Sequence, residues 1–499
     1  MSGSIKKGRL RASADLSGWA DGVGQSRKSL RRVARSYEYV EGWGRAVGSR
    51  GRVLRPTSVK EVRAVLAAAR RAGEPVCLRG GGNSYGDAST NTRGHVLDIG
   101  RMNQVLDFDA ETGVAELEGG VTIAQLWRHA LPRGYWPKVV SGTMFPTIAG
   151  AAAMNIHGKN NFKVGTIGDA IEAFDLVLAN GELVTCSRSQ NDDLFHAAIG
   201  GFGMLGVMTR VRIRTQRVHS GELQVHARSS RNLRHMLEQF EEERANADYL
   251  VGWIDCFGRG LGLGRGLVHV ARYLEPGEDE DPEATCRLAH QELPSSILGF
   301  PKSQVWRFLR PICNDLGMPL LNLSKYTAGR LEEKKAPFRQ PHAAFAFLLD
   351  YVPDWKLAYG PGGLIQFQSF VPKETALATY EALLERCHQR GIVPYLGVFK
   401  RHRPDPFWLT HAVDGYSFAM DFKVRPERRQ ELWDHCRDLT EIVLAAGGRF
   451  YFAKDLTLPP GTARRFLPPD RVAAFEELKG RLDPDGRFET QLYRRLFRS

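Results

Sequence analysis

RGGGNSYGD, residues 79–87, sets three glycines side by side between an arginine and an asparagine. Such a run costs a folded chain conformational entropy, so something must pass too close to this backbone for side chains. EPVCLR (74–79) reads as the strand that delivers the loop, and VLRP (53–56) as an earlier one stopped by its proline. Between them a helix is predicted from Ser58. Glu61 completes a capping box, Val59, Val62, Val65, Leu66 and Ala69 form one apolar stripe, and Gly73 suits the C-cap. Two more glycine-rich segments follow in order, SGTMFPTIAGAAAMNIHGKNN (141–161) and AIGGFGMLGVMTRVRIRT (198–215). All three are rich in backbone donors, which suits wrapping a pyrophosphate and a flat ring.

At 499 residues the chain exceeds one ordinary core, so two domains are expected. With 42% apolar and 25% charged residues it reads as a folded globular protein. The N-terminus lacks the apolar core of a secretory signal, and no apolar run is long enough to span a bilayer. The seven cysteines are scattered without a CxxC pair, which argues against a disulfide framework or a zinc site. The reading is a cytoplasmic chain with reduced thiols and no metal. Its formal charge is +13, and residues 1–50 alone hold eleven Lys/Arg against four Asp/Glu. The densest part, RKSLRRVAR (27–35), suits an anionic membrane surface, a phosphorylated substrate, nucleic acid or plain solvent. No nucleic-acid-reading signature accompanies it.

The first 215 residues alternate short strands with isolated helices. FDLVLANGELVTC (174–186) is a hairpin turning at Asn180-Gly181, and VMTRVRIRT (207–215) alternates as a half-buried strand. From residue 216 the helices lengthen and the strands turn aromatic. LEPGEDEDPEA, within 274–302, is expected to be a mobile acidic insertion. After Gly447 the pattern returns to that of the beginning. The expected architecture is α+β, with a first domain split between 1–215 and 440–499 and a second, residues 216–439, inserted as an antiparallel sheet. GFGMLG (201–206) matches the GxGxxG dinucleotide fingerprint, but a β-alternating segment follows it where that fingerprint needs a helix. GRGLGLGRG (258–266) is a turn or bulge between strands.

The ordered set of segments resembles the FAD-linked oxidase family, which includes vanillyl-alcohol and alditol oxidases. Within it the likeness is greatest to the branch of decaprenylphosphoryl-ribose oxidases, the flavoenzymes of arabinan precursor synthesis. It runs through SYGD (84–87), IHGKN (156–160), WID (253–255), QFQSFVP (366–372), VFK (398–400), MDF (420–422) and GGRFYFAKD (447–455). The resemblance implies that FAD lies along Arg79, Gly80, Gly81, Gly82, Asn83, Ser84 and Tyr85. Further cofactor contacts are implied at Gly142, Thr143, Ile148, His157, Gly158, Gly203 and Tyr451. Covalent members link the flavin to a histidine in the glycine loop. Asn83 holds that place here, so a non-covalent FAD is expected.

Oxidising an alcohol needs a hydride acceptor and a base for the hydroxyl proton. Lys454 and Lys159 match functional lysines of the resembled branch, and His157 and Gln366 join them as catalytic candidates. Gln366 and Gln368 stand two apart on a strand and so share a face. With Trp253, Lys400, Ser417, Ala419 and Lys454 they make up the implied substrate pocket. Ser417 and Ala419 replace an Asn and a Cys of that branch, which puts the substrate's identity in question. Strict alternation from Arg449 would place Tyr451 and Lys454 on opposite faces, so this strand should end or bend near Ala453.

The resulting expectation is oxidation of a secondary alcohol on a sugar-phosphate or polyprenyl-phosphate-linked ribose, the first half of an epimerisation that a short-chain dehydrogenase/reductase partner completes. The basic N-terminal run would then hold the enzyme peripherally at the inner membrane surface. The alternatives are a soluble alditol or sugar oxidase using oxygen, and a basic nucleic-acid-binding protein on a degenerate flavin fold.

Overall fold

The computed structural model describes residues 34–92, 94–297, 299–333 and 336–498. The basic run 27–35 lies outside them except for its last two residues, which begin the strand Ala34–Glu41. Arg27, Lys28, Arg31 and Arg32 therefore receive no structural account.

The predicted helix forms as Val59–Ala72. Ser58 Oγ accepts from the Glu61 amide at 3.3 Å, while Glu61 reaches past Ser58 to the Thr57 amide at 2.8 Å, and Gly73 closes the end at φ 69°. Its buried stripe shares a core with Leu54, Leu97 and Val76 of a small sheet ordered Ala34–Glu41, Gly48–Leu54, His95–Asp98, Val76–Arg79, in which the last three strands are parallel. Val76–Arg79 is the edge strand, and the glycine loop leaves from its end.

A second, antiparallel sheet runs Val105–Phe108, Val114–Glu118, Val207–Arg217, Ile171–Val177, Leu183–Ser187. Along Val207–Arg217, Val211 and Ile213 enter the core, while Arg210, Arg212 and Arg214 pair outward with Asp175, Glu116 and Glu172. Exposed pairs of that kind contribute little, and the buried half fixes the register. The hairpin at Asn180-Gly181 turns through a longer loop, with Gly181 at φ 88° donating to Leu178 O. GFGMLG runs straight into Val207–Arg217, so no helix stands behind it.

The third sheet has eight strands, ordered Phe338–Pro341, Glu222–Ser230, Gly266–Tyr273, Tyr249–Ile254, Leu396–His402, Gly415–Lys423, Leu364–Pro372, Arg449–Phe450. Helices Leu233–Glu243, Lys373–Arg390 and Arg429–Ala445 cover one face. The central strands Leu364–Pro372 and Gly415–Lys423 are buried on both faces, so their second face must meet another part of the protein.

The acidic segment expected to be mobile is tied down. Glu278 takes a two-pronged ion pair from Arg272 at 2.7 Å, and Thr285 Oγ1 donates to Asp279 at 2.7 Å. Arg449–Phe450 is the only regular part of the last predicted strand. It stops before Tyr451, and Lys454 N bonds Tyr451 O in a turn at 3.0 Å, which is the expected bend.

From there the chain returns to the first sheet, where Val76 N bonds Arg487 O at 2.7 Å. The closing helix, Gln491–Phe497, places Arg495 between two buried carboxylates. It bonds Asp87 at 2.9 and 3.1 Å, Asp455 at 2.9 Å and Leu458 O at 2.8 Å. Removing one partner of a buried ion cluster typically costs about 3–5 kcal/mol, because the charges left behind lose their compensation. Arg495→Ala is therefore expected to lower unfolding free energy by about that amount in urea titration. A loss under about 1 kcal/mol, the level of an exposed pair, would show that Arg495 holds nothing together.

Candidate active site

The loop Arg79–Asp87 sits under the second glycine-rich segment. A Cβ at Gly80 would overlap Thr147 Oγ1, and one at Gly81 would overlap Phe145 O. The first thing to approach these glycines is thus the protein's own chain, a side chain at Gly80 and backbone at Gly81. Gly82 turns at φ 66°, and Gly86 is crossed by Asp455 O. Among the described residues, the amides of Gly80 through Ser84 make no backbone hydrogen bond. Asn83 Nδ2 beside them is a buried donor with no protein partner. Five backbone N–H groups and a side-chain amide at the wall of a cavity are the kind of donors that an anion takes up.

The cavity, of ≈ 430 Å³, lies between the loop and the free face of the eight-stranded sheet. This volume falls in the usual range for small-molecule sites, about 300–1,000 Å³. Strand register decides what the sheet presents. Gln366 lies opposite Asp421, which faces Leu396; Gln368 opposite Ala419, which faces Val398; Phe370 opposite Ser417, which faces Lys400. Trp253 extends the middle row from Val398. Lys454, Tyr451 and Tyr85 close the cavity from the turn and loop, and His157 and Lys159 from the second glycine-rich segment.

The sequence-predicted set is almost wholly assembled. Arg79 through Tyr85, Gly142, Thr143, His157, Lys159, Gly203, Trp253, Gln366, Gln368, Lys400, Ser417, Ala419, Tyr451 and Lys454 all line the cavity. Ile148 and Gly158 do not. Ile148 starts the short helix Ile148–Ala153 with its side chain in the core and its amide on Val121 O at 2.7 Å. Gly158 stands behind the wall against Asn160. Two predicted contacts are also partly engaged: Thr143 donates to Asp350 at 2.7 Å, and Ser417 Oγ meets His402 Nε2 at 2.7 Å.

Electrostatically the cavity gathers amines in a dry place. Burial pushes Lys159 well below its ordinary range and Lys400 down to about 8. Burial also lowers Lys454 and raises Asp421, and each carboxylate–ammonium attraction works against those shifts. The Lys454 ammonium lies 3.6 Å from the centre of the Tyr85 ring. Lys159 donates to the carbonyls of Phe345 and Ala346. Gln366 Nε2 bonds Asp421 Oδ1 at 2.5 Å, and Gln368 Nε2 lies 3.1 Å from His157 Nε2. Burial and the neighbouring lysines keep His157 neutral.

Sequence reasoning missed Asp421, although the alternation that pairs Ser417 with Ala419 continues to it. It also missed His402 and His411, which pack around Phe370 with His157, and Lys325, which stands 4.4 Å over the Trp253 ring. No local pattern marks those three.

Comparison with known proteins gives the same assignment. Residues 51–187 match a family model described as an FAD binding domain. The chain is 30% identical over 465 residues to decaprenylphosphoryl-beta-D-ribose oxidase of Mycolicibacterium smegmatis, covering 91% of this chain and 96% of that one. It is 33% identical to L-gulonolactone oxidase of Bos taurus over 174 residues, 35% of this chain and 39% of that one.

The cavity fits FAD on its own terms. The free amides of Gly80–Ser84 and the orphan Asn83 Nδ2 offer donors to a pyrophosphate, and the apolar, roomy remainder offers walls to a ring. Asn83 has no nucleophilic atom with which to bond the ring. Acid precipitation should therefore leave the protein pellet colourless and release FAD to the supernatant, read by absorbance. Yellow colour retained in the pellet would refute this. Fold, cavity and likeness along nine-tenths of the sequence agree, and the chain belongs to the FAD-linked oxidase family as an FAD-dependent oxidoreductase.

Proposed function

We propose that this enzyme oxidises a secondary alcohol of a phosphate-linked ribose, carried on a polyprenyl chain or free, to the keto-sugar. The observation that carries the reading is Lys454 and Gln366, the latter anchored from behind by Asp421, in a cavity that also gathers Lys159, Lys400 and Lys325. Hydroxyl-binding groups beside several amines suit a substrate that is both a polyol and an anion. Likeness to an oxidase of decaprenylphosphoryl-ribose supports the same class. The keto-sugar needs a reductant to become the epimer, so a partner of the short-chain dehydrogenase/reductase type fits the second half-reaction.

FAD, when bound, supplies a two-electron acceptor for the hydride leaving the alcohol carbon. The chain's own residues handle the rest. Gln366, anchored by Asp421, orients the hydroxyl, and the neutral Lys454 amine takes its proton as the C–H bond breaks. Sheet and loop exclude water, so the amine is held low enough in pKa to accept. The test is flavin bleaching without oxygen, using ribose phosphates and polyprenyl-phosphoryl ribose against free alditols. Bleaching by alditols alone would overturn the phosphate assignment.

Two further outcomes follow from the geometry. Lys454→Ala should still bind FAD but reduce it about 100- to 10,000-fold more slowly, the usual worth of a placed acid–base group. Reduction within a few-fold of the parent would remove Lys454 from the chemistry. The rate should also rise with pH, with its midpoint below the ordinary lysine value of 10.5, because the base must be deprotonated and burial lowers it. Asp421 stabilises the charged amine, so Asp421→Asn should move that midpoint lower still. An upward shift in stopped-flow pH profiles would contradict this coupling.

A further inference from the structure

Helix Gly317–Glu332 is built inside out. Its buried positions are Asn322, Tyr326 and Gly329, while Leu316 at its N-cap, Leu320, Leu323 and Leu331 are 84%, 68%, 44% and 63% exposed. Spacings of four, three and eight put these leucines along one outward stripe. The preceding helix, Lys302–Leu309, adds an exposed Phe308 whose ring packs 5.3 Å from that of exposed Phe300. Apolar surface gathered this way on a folded protein marks a contact surface.

Charge selects the partner. From Phe300 to Glu332 stand Arg307, Arg310 and Arg330, with Lys302 buried and Lys325 in the cavity, against Glu332 and an Asp315 whose oxygens are held by Tyr395 at 2.6 Å and Arg425 at 2.5 Å. Arg307, Arg310 and Arg330 are exposed, while the Lys325 amine turns to the cavity over the Trp253 ring. An apolar stripe bordered by long cationic side chains suits an anionic lipid surface, where leucines enter the acyl boundary and the cations reach headgroups. The same helix also reaches the site from its other side, for Lys325 lines the cavity.

We propose that the outward face of Gly317–Glu332, with the Phe300–Phe308 pair, seats this protein on an anionic bilayer with the cavity beside it. The inference stands apart from the identity of the alcohol. It also differs from membrane attachment through the N-terminal basic run, because it rests on the leucine stripe of this helix.

The test is co-sedimentation of the FAD-loaded full chain with vesicles of phosphatidylglycerol and phosphatidylcholine, or phosphatidylcholine alone. The parent should bind the anionic vesicles at low salt at least tenfold better than the neutral ones. Leu316→Glu with Leu320→Glu, the N-terminal run intact, should lower that binding tenfold or more and leave the flavin spectrum unchanged. Should this pair lose its flavin, Arg307→Gln with Arg310→Gln gives an independent reading, a severalfold fall in binding at low salt. Absence of parent binding, or variants that bind like the parent, would overturn the proposal. So would a dimer in sedimentation velocity that the leucine variant dissociates, since the face would then join two copies.

Discussion

One guanidinium keeps the cofactor loop and the lysine turn in register. Arg495 reaches Asp87 at the end of the glycine loop and Asp455 directly after Lys454. Burial pushes the Asp87 carboxyl upward even beside that cation, so the cluster is desolvated enough to be costly if broken. Around it the two segments are fastened by backbone: Tyr85 N bonds Ala453 O at 2.8 Å, and Gly86 is a glycine because Asp455 O occupies the space of its Cβ. Tyr85 then lies under the Lys454 amine. The position of the Lys454 amine thus depends on a helix at the far end of the chain.

The glycine triad was legible as a place of close approach, but not as to what approaches. Glycine reports missing space whether a ligand or a neighbouring loop fills it, and here Phe145 and Thr147 fill it before any cofactor does. Strand periodicity carried the sheet face from Gln366 to Gln368 and would have carried Ser417 and Ala419 on to Asp421. Ile148 was misread because a residue that opens a helix beside the cavity can turn its side chain into the core. Arg495 carried no local signal at all: its acidic partners lie 408 and 40 residues away, and only the fold brings them together.

The acidic segment shows the opposite error. Its composition pointed to disorder, yet its carboxylates are matched by Arg272 and Ser220 on the ordered body. Composition describes what a segment offers, and a neighbouring strand with complementary groups decides whether it is held. The inverted helix Gly317–Glu332 follows the same logic from the apolar side, since its periodicity is helical but the burial lies on the wrong stripe for a helix facing only water.

The amines of the cavity divide their work by what each finds to bond. Lys159 donates to two backbone carbonyls, which fixes its protons and ties the Phe345–Ala346 corner to the cavity wall. Lys400 is held down by burial. Lys454 is drawn both ways: burial disfavours its charge, while Asp421 and the face of Tyr85 favour it. A general base works best when its two protonation states are close in free energy at working pH. Opposed influences of that kind are what bring a buried lysine toward this balance, and among the cavity's lysines it is Lys454 that has a carboxylate supplying one of them.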